Sequence, residues 1–141
     1  MSSRTKARKR ALDILFGADV RGVAIASMLD EEAGRAAAQP QRESSWPYAR
    51  EIVEGVDGHL ADIDAEIEAH AQGWPLERMP ALDRAIARLA TWEILYNDDV
   101  PDAVAIAEAV ESATVLSTED SAGFLNGLLG GITRGKTLDE V

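Results

Sequence analysis

Residues 80–116, PALDRAIARLATWEILYNDDVPDAVAIAEAVESATVL, hold two helical repeats separated by a short acidic connector. Leu82, Ile86, Leu89 and Ala90 recur at helical spacing, which places them on one face of a helix from Ala81 to about Asn97. Pro80 and Pro101 stand where the two helices would begin. Proline's fixed φ and missing N–H suit a first turn and no later one. Beyond Pro101, Ala103, Ile106, Val110 and Ala113 predict an inner face that runs to about Leu116. Neither segment alternates with period two, so a sheet is not expected here.

The same periodicity extends in both directions. Upstream, Ala7, Ala11, Ile14, Leu15 and Ala18 form one stripe from Thr5 to about Asp19, with Gly22 ending the helix. A weaker helix covers about Val23 to Ala38, and Gln39–Trp46 reads as a loop. Pro47 opens a long helix to about His70 with Ala49, Ile52, Val53, Val56, Leu60, Ile63 and Ile67 on its core face. Gly73-Trp74-Pro75 breaks it, and Leu76–Met79 suits one further turn. Downstream, Ser117-Thr118-Glu119-Asp120 has the chemistry of a helix start. The last helix carries Phe124, Leu125, Leu128, Leu129 and Ile132. Gly123, Gly127 and Gly131, four apart, predict close approach of another helix, and residues 134–141 read as a frayed tail. The expected fold is one all-α domain of six or seven helices.

The 141 residues suit a single domain, and the 46% hydrophobic and 28% charged fractions exclude a wholly disordered or membrane-embedded chain. No apolar run is long enough to span a bilayer, so no membrane partner is expected. The charged N-terminus and the absence of cysteine point to a cytoplasmic protein without disulfides or thiolate metal sites. Net charge is −11, unevenly spread. Arg4, Lys6, Arg8, Lys9 and Arg10 put five cations and no acid in the first ten residues, leaving nine cations against 25 acids, or −16, on the rest. A basic arm on an acidic body suits two partners of opposite charge, one of them a polyanion.

Catalytic constellations are missing from the pattern, and no metal site or cofactor is expected. Gly130–Thr137 formally matches a phosphate-binding loop, but a helix precedes it where a strand is required. His59 and His70 lie eleven residues apart, about 16 Å along one helix, too far to share a metal. Phe16 falls opposite the apolar stripe of the first helix, within about 20° of Lys9, where an aromatic ring beside cations suits single-stranded RNA; a helix buried on two sides, with Phe16 in a second part of the core, fits the same position. Glu93 lies on an apolar face and reads as a structural carboxylate that needs a partner. Val104, Glu108, Glu111 and Val115 share the outer face after Pro101, acids framed by valines, which suits a basic protein partner, although a solvated face is the commoner reason for such a pattern.

Several motifs, in order and spacing, resemble the transcription antitermination factor NusB family. They are Ala11–Phe16, Ile52–Val56, Leu82–Ala90, Trp92–Tyr96, Asp99–Pro101 with Val104–Ile106, and Glu119–Ser121 with Phe124 and Asn126–Leu129. The resemblance implies seven helices in two small bundles. It also implies binding of boxA RNA in ribosomal RNA leader transcripts together with ribosomal protein NusE, on RNA polymerase with the other Nus factors. The implied RNA-binding residues are Arg4, Lys6, Arg8, Lys9, Arg10, Phe16, Asp120 and Phe124; the implied NusE contacts are Glu77 and Asp83. Some members self-associate, so a homodimer is a further expectation. Two other readings fit the residues: a helical protein–protein adaptor, and a detached RNA-guiding domain of the kind found in RNA cytosine methyltransferases.

Overall fold

The computed structural model describes residues 2–39 and 44–139 and contains helices and no strand among them. It divides into two compact units, Met1–Gly58 and His59–Val141. The loop expected at residues 39–46 is described only at its ends, because residues 40–43 lie outside the described set.

The first unit packs three helices: α1 (Ser3–Arg21), α2 (Ile25–Ala37) and α3 (Trp46–Gly58). Ser2 caps α1 by accepting from Thr5 N at 3.0 Å, and Gly22, at φ 67°, closes its other end. That left-handed geometry is nearly free of cost for glycine alone. The expected stripe of α1 is buried, widened by Leu12, and it meets Ala49, Ile52, Val53 and Val56 of α3. Each of the larger aliphatic side chains contributes roughly 1.5–3 kcal/mol by leaving water.

The long helix expected from Pro47 to His70 is two helices. Gly58 ends α3, His59 leaves helical geometry at φ −123°, and α4 runs Leu60–His70. Two residues account for the break. Glycine is a poor helix former, and the His59 ring lies flat on Tyr96 at 3.9 Å between centroids. After α4, Gln72 (φ 47°) and Gly73 (φ 84°) make a left-handed turn into Trp74, and Leu76–Arg78 forms a 3₁₀ turn.

The rest of the second unit is built around α5 (Ala81–Tyr96), which packs on α4, α6 (Asp102–Leu116) and α7 (Glu119–Asp139). Three side chains in its first half each reach a different neighbour. Asp83 is fully buried and accepts from Ser117 Oγ at 2.9 Å and Ser121 Oγ at 2.7 Å, at the junction of α6 and α7. Arg84 Nη1 donates to the carbonyls of Leu76 and Met79, both at 2.9 Å, holding the 3₁₀ turn. Arg88 forms a two-pronged pair with Asp64 of α4 at 2.8 and 3.0 Å, largely screened from solvent.

The cap expected at Ser117–Asp120 is present: Thr118 Oγ1 accepts from Ser121 N at 3.1 Å, and Glu119 and Asp120 occupy the first turn. The inner face of α6 differs from the expected one. Ala105, Ala109 and Ala113 are buried, whereas Ala103 is exposed and Ile106 and Val110 are half-buried. With α5 and α7 both against it, the seam takes the smallest side chains and leaves the larger ones at its margins.

Residues 134–139 of the expected tail are helical. α7 continues to Asp139, and Lys136 Nζ donates to Ile94 O at 2.7 Å and approaches Asp102 Oδ1 at 3.3 Å. Gly123 and Gly127 face open space rather than another helix. Close approach occurs further along, where a Cβ on Gly131 would lie 3.2 Å from the His70 ring and one on Gly135 3.4 Å from it.

Replacing Asp83 by alanine should lower the unfolding free energy by about 3 kcal/mol, since two hydrogen bonds to a buried charge are lost. Asp83→Asn keeps one acceptor and should lose about half as much. Denaturant unfolding of the two variants checks this; an alanine variant as stable as the parent would show that the junction does not need the carboxylate.

Candidate nucleic-acid interface

In the first unit the basic arm is the start of α1 itself. Ser3 Oγ donates to Ser44 O at 2.9 Å, which ties the arm to the segment before α3. The Arg4 and Arg8 guanidiniums lie 5.0 and 5.9 Å from the centre of the Tyr48 ring, and Arg10 lies 5.0 Å from the Trp46 ring. Arg10 also donates to Ser45 Oγ at 3.0 Å. The five expected RNA contacts therefore divide. Lys6 and Lys9 are exposed, Arg4 is exposed beside Tyr48, and Arg10 is partly covered. Arg8 is only 7% exposed, so it has little surface to offer a phosphate, which corrects its expected role.

Phe16 is on the surface, 37% exposed, as are Val20 near the end of α1 and Val23 just beyond its cap. Asp13, one turn from Lys9, has its carboxyl pKa raised by burial, opposed by Lys9 and reinforced by Glu32. It lines a pocket of about 310 Å³ with Arg10, Glu32 and Arg35. Reading the sequence had missed Trp46 and Tyr48. Two aromatic residues flanking Pro47 at a helix start were the available signal, but their pairing with cations some 40 residues away has no local trace.

In the second unit Asp120 is exposed in the first turn of α7, and Phe124 follows one turn later. Phe124 is half-buried and meets Trp74 edge-on, 4.7 Å between centroids at 75°. The two rings line a pocket of about 520 Å³ with His70, Gln72 and Arg134, and Gly123 and Gly127 keep its α7 wall low. His70 Nδ1 donates to Glu66 O at 2.9 Å, which fixes the ring with its other nitrogen directed away from that carbonyl. The sequence marks Trp74 only as part of a helix break.

Of the expected partner contacts, Glu77 is exposed on the 3₁₀ turn. Asp83 is not a surface residue. It is fully buried with both oxygens engaged, which makes it a structural group and corrects the expected contact. Glu93 is likewise fully buried. The acid-and-valine face of α6 is exposed at Val104, Glu111 and Val115. No cluster of three metal-ligating acids or histidines occurs among the described residues, and no described helix is long and apolar enough to cross a membrane.

These features define an all-helical protein with a basic, aromatic-flanked surface on one unit and an aromatic pocket on the other, a composition suited to nucleic acid. A family model described as the NusB family matches residues 5–134. The transcription antitermination protein NusB of Leifsonia xyli subsp. xyli is 64% identical over 139 residues, covering 99% of this chain and 96% of that protein. The structure of T. maritima NusB superposes with a TM-score of 0.79 at 31% identity, covering 98% of this chain and 97% of that one. An antitermination factor NusB solved with NusE and double-stranded RNA shares the fold at a TM-score of 0.82 and 23% identity, covering 96% and 98% of the two chains. The chain belongs to the NusB family.

The two phenylalanines should separate in stability. Phe16→Ala should cost about 1 kcal/mol or less and Phe124→Ala about 2–3 kcal/mol, scaled down from full core truncation by their exposure. Equal losses on chemical unfolding would contradict these placements. For Asp13, a raised pKa means that the folded state favours the protonated carboxyl. Its stabilising contribution is present below the ordinary carboxylate pKa and lost as pH rises through the raised value. Asp13→Asn should therefore gain more stability, relative to the parent, at neutral pH than near about pH 4. A gain independent of pH would contradict the sign.

Proposed function

We propose that this protein is a transcription antitermination factor that binds RNA of the boxA type in ribosomal RNA leader transcripts together with NusE. In this role it joins the other Nus factors on RNA polymerase and acts by binding rather than by catalysis, in the cytoplasm. The observation that carries this reading is 64% identity to an antitermination NusB across 99% of the chain. A structure of the related NusB with NusE and double-stranded RNA supports the two partners.

The residues give this role a mechanism. Lys6 and Lys9 meet phosphates, releasing counterions without reading sequence. Phe16, beside them, and Phe124 with Trp74 offer ring faces and edges on which unpaired bases stack. The remaining −16 of charge opposes RNA at long range, and a basic ribosomal protein neutralises it. Exposed Glu77 and the acidic outer face of α6 are the groups through which such a protein would dock.

Titration of a boxA RNA across a range of salt, with and without NusE, tests the reading. Binding should be markedly tighter for the pair than for this protein alone. Lys6→Ala or Lys9→Ala should weaken binding to any RNA and reduce the salt slope by about 0.7–0.9 each. Phe16→Ala should cost about 1–3 kcal/mol of binding with the slope unchanged. No specific binding in either condition would overturn the RNA reading, and equal affinities with and without NusE would overturn the cooperative part.

A further inference from the structure

The start of α1 breaks a local rule of helix electrostatics. It has no acid in its first turn and places Arg4 and Lys6 near the positive end of the helix dipole, with Arg8, Lys9 and Arg10 following. Cations there repel the dipole and one another, and such an arm on its own would fray. Yet the helix is formed from Ser3 onward. The compensation comes from α3: Tyr48 receives two guanidiniums, from Arg4 and Arg8, and Trp46 receives that of Arg10. Guanidinium on an aromatic face keeps its charge while giving up mobility, and it leaves the ammonium groups of Lys6 and Lys9 directed to solvent.

We propose that Tyr48 and Trp46 are positioning residues of the RNA-binding arm: by stacking its three arginines they hold the start of α1 as a preformed helix that presents Lys6 and Lys9 at fixed spacing. The inference rests on the RNA reading above and adds that affinity depends on order in the arm as well as on its charge. A frayed arm carries the same five cations but must be ordered when RNA arrives, which weakens binding. Arginine is required at the stacked positions, because lysine preserves charge without the planar contact.

The test measures RNA affinity and its salt slope for Tyr48→Phe, Tyr48→Leu and Arg4→Lys, each checked by circular dichroism. Tyr48→Leu should bind about tenfold more weakly with an unchanged salt slope, because the phosphate contacts remain and only their preorganisation is lost. Tyr48→Phe should retain the parent's affinity, since the ring and not the hydroxyl holds the arginines. In Tyr48→Leu the amides of residues 4–10 should lose protection from hydrogen exchange while those of Ile52 and Val53 keep theirs, which separates loss of the arm from loss of the fold. Should Tyr48→Leu not fold, Arg4→Lys decides on its own: about threefold weaker binding at constant slope is expected. Tyr48→Leu or Arg4→Lys binding as the parent does overturns the positioning role while leaving the RNA reading intact. A parent protein that binds no RNA, alone or with NusE, overturns both.

Discussion

A buried carboxylate at the start of α5 is the constraint on which the second unit depends. Asp83 has no solvent to share its charge, so it must be satisfied by the protein, and it takes both donors from the Ser117–Ser121 turn. Desolvating such a group is costly, and leaving it unpaired is costlier still. The turn between α6 and α7 therefore has one arrangement compatible with a folded α5. Arg84 and Arg88 extend the same logic to the 3₁₀ turn and to α4. Within six residues, one helix fixes every other helix of its unit by a directional contact. Apolar packing alone would tolerate slippage between them.

The surface residues with a functional reading inherit their placement from these contacts. Asp120 and Phe124 stand on the first turns of α7, directly after the serines that Asp83 holds. Glu77 lies between Leu76 and Met79, whose carbonyls Arg84 binds. The start of α5 is thus a device for positioning neighbouring residues rather than a contact surface. In the first unit the same division recurs between Tyr48 and Trp46, which hold, and Lys6 and Lys9, which face outward.

The helices and their order were legible in the sequence because most of them bury one face, and a one-sided helix leaves a period of 3.6 residues. α5 buries nearly its whole circumference, so periodicity shows only the stripe of Leu82, Ile86, Leu89 and Ala90 and says nothing of Asp83, whose expected surface role comes from the family resemblance. On α6 the spacing places Ala113 on the inner face correctly but joins it to Ile106 and Val110, whereas a seam between two helices selects Ala105 and Ala109 beside it for their size. The break at Gly58-His59 was hidden because Val53, Val56, Leu60, Ile63 and Ile67 keep helical spacing across it. The basic arm and Phe16 were readable as local features. Their long-range partners were not: Tyr48 for Arg4, Trp46 for Arg10 and Ile94 for Lys136 lie some 40 residues away in sequence.

Native-state hydrogen exchange on Arg88→Ala tests most directly whether α5 holds its unit through directional polar contacts. Arg88 pairs with Asp64 of α4, and α4, α6 and α7 share α5 as their common partner. If α5 couples them, the slowest amides of α4, α5, α6 and α7 lose protection together and by a similar free energy, as one cooperative unit. Loss of protection confined to α4, with α6 and α7 unchanged, would contradict that account.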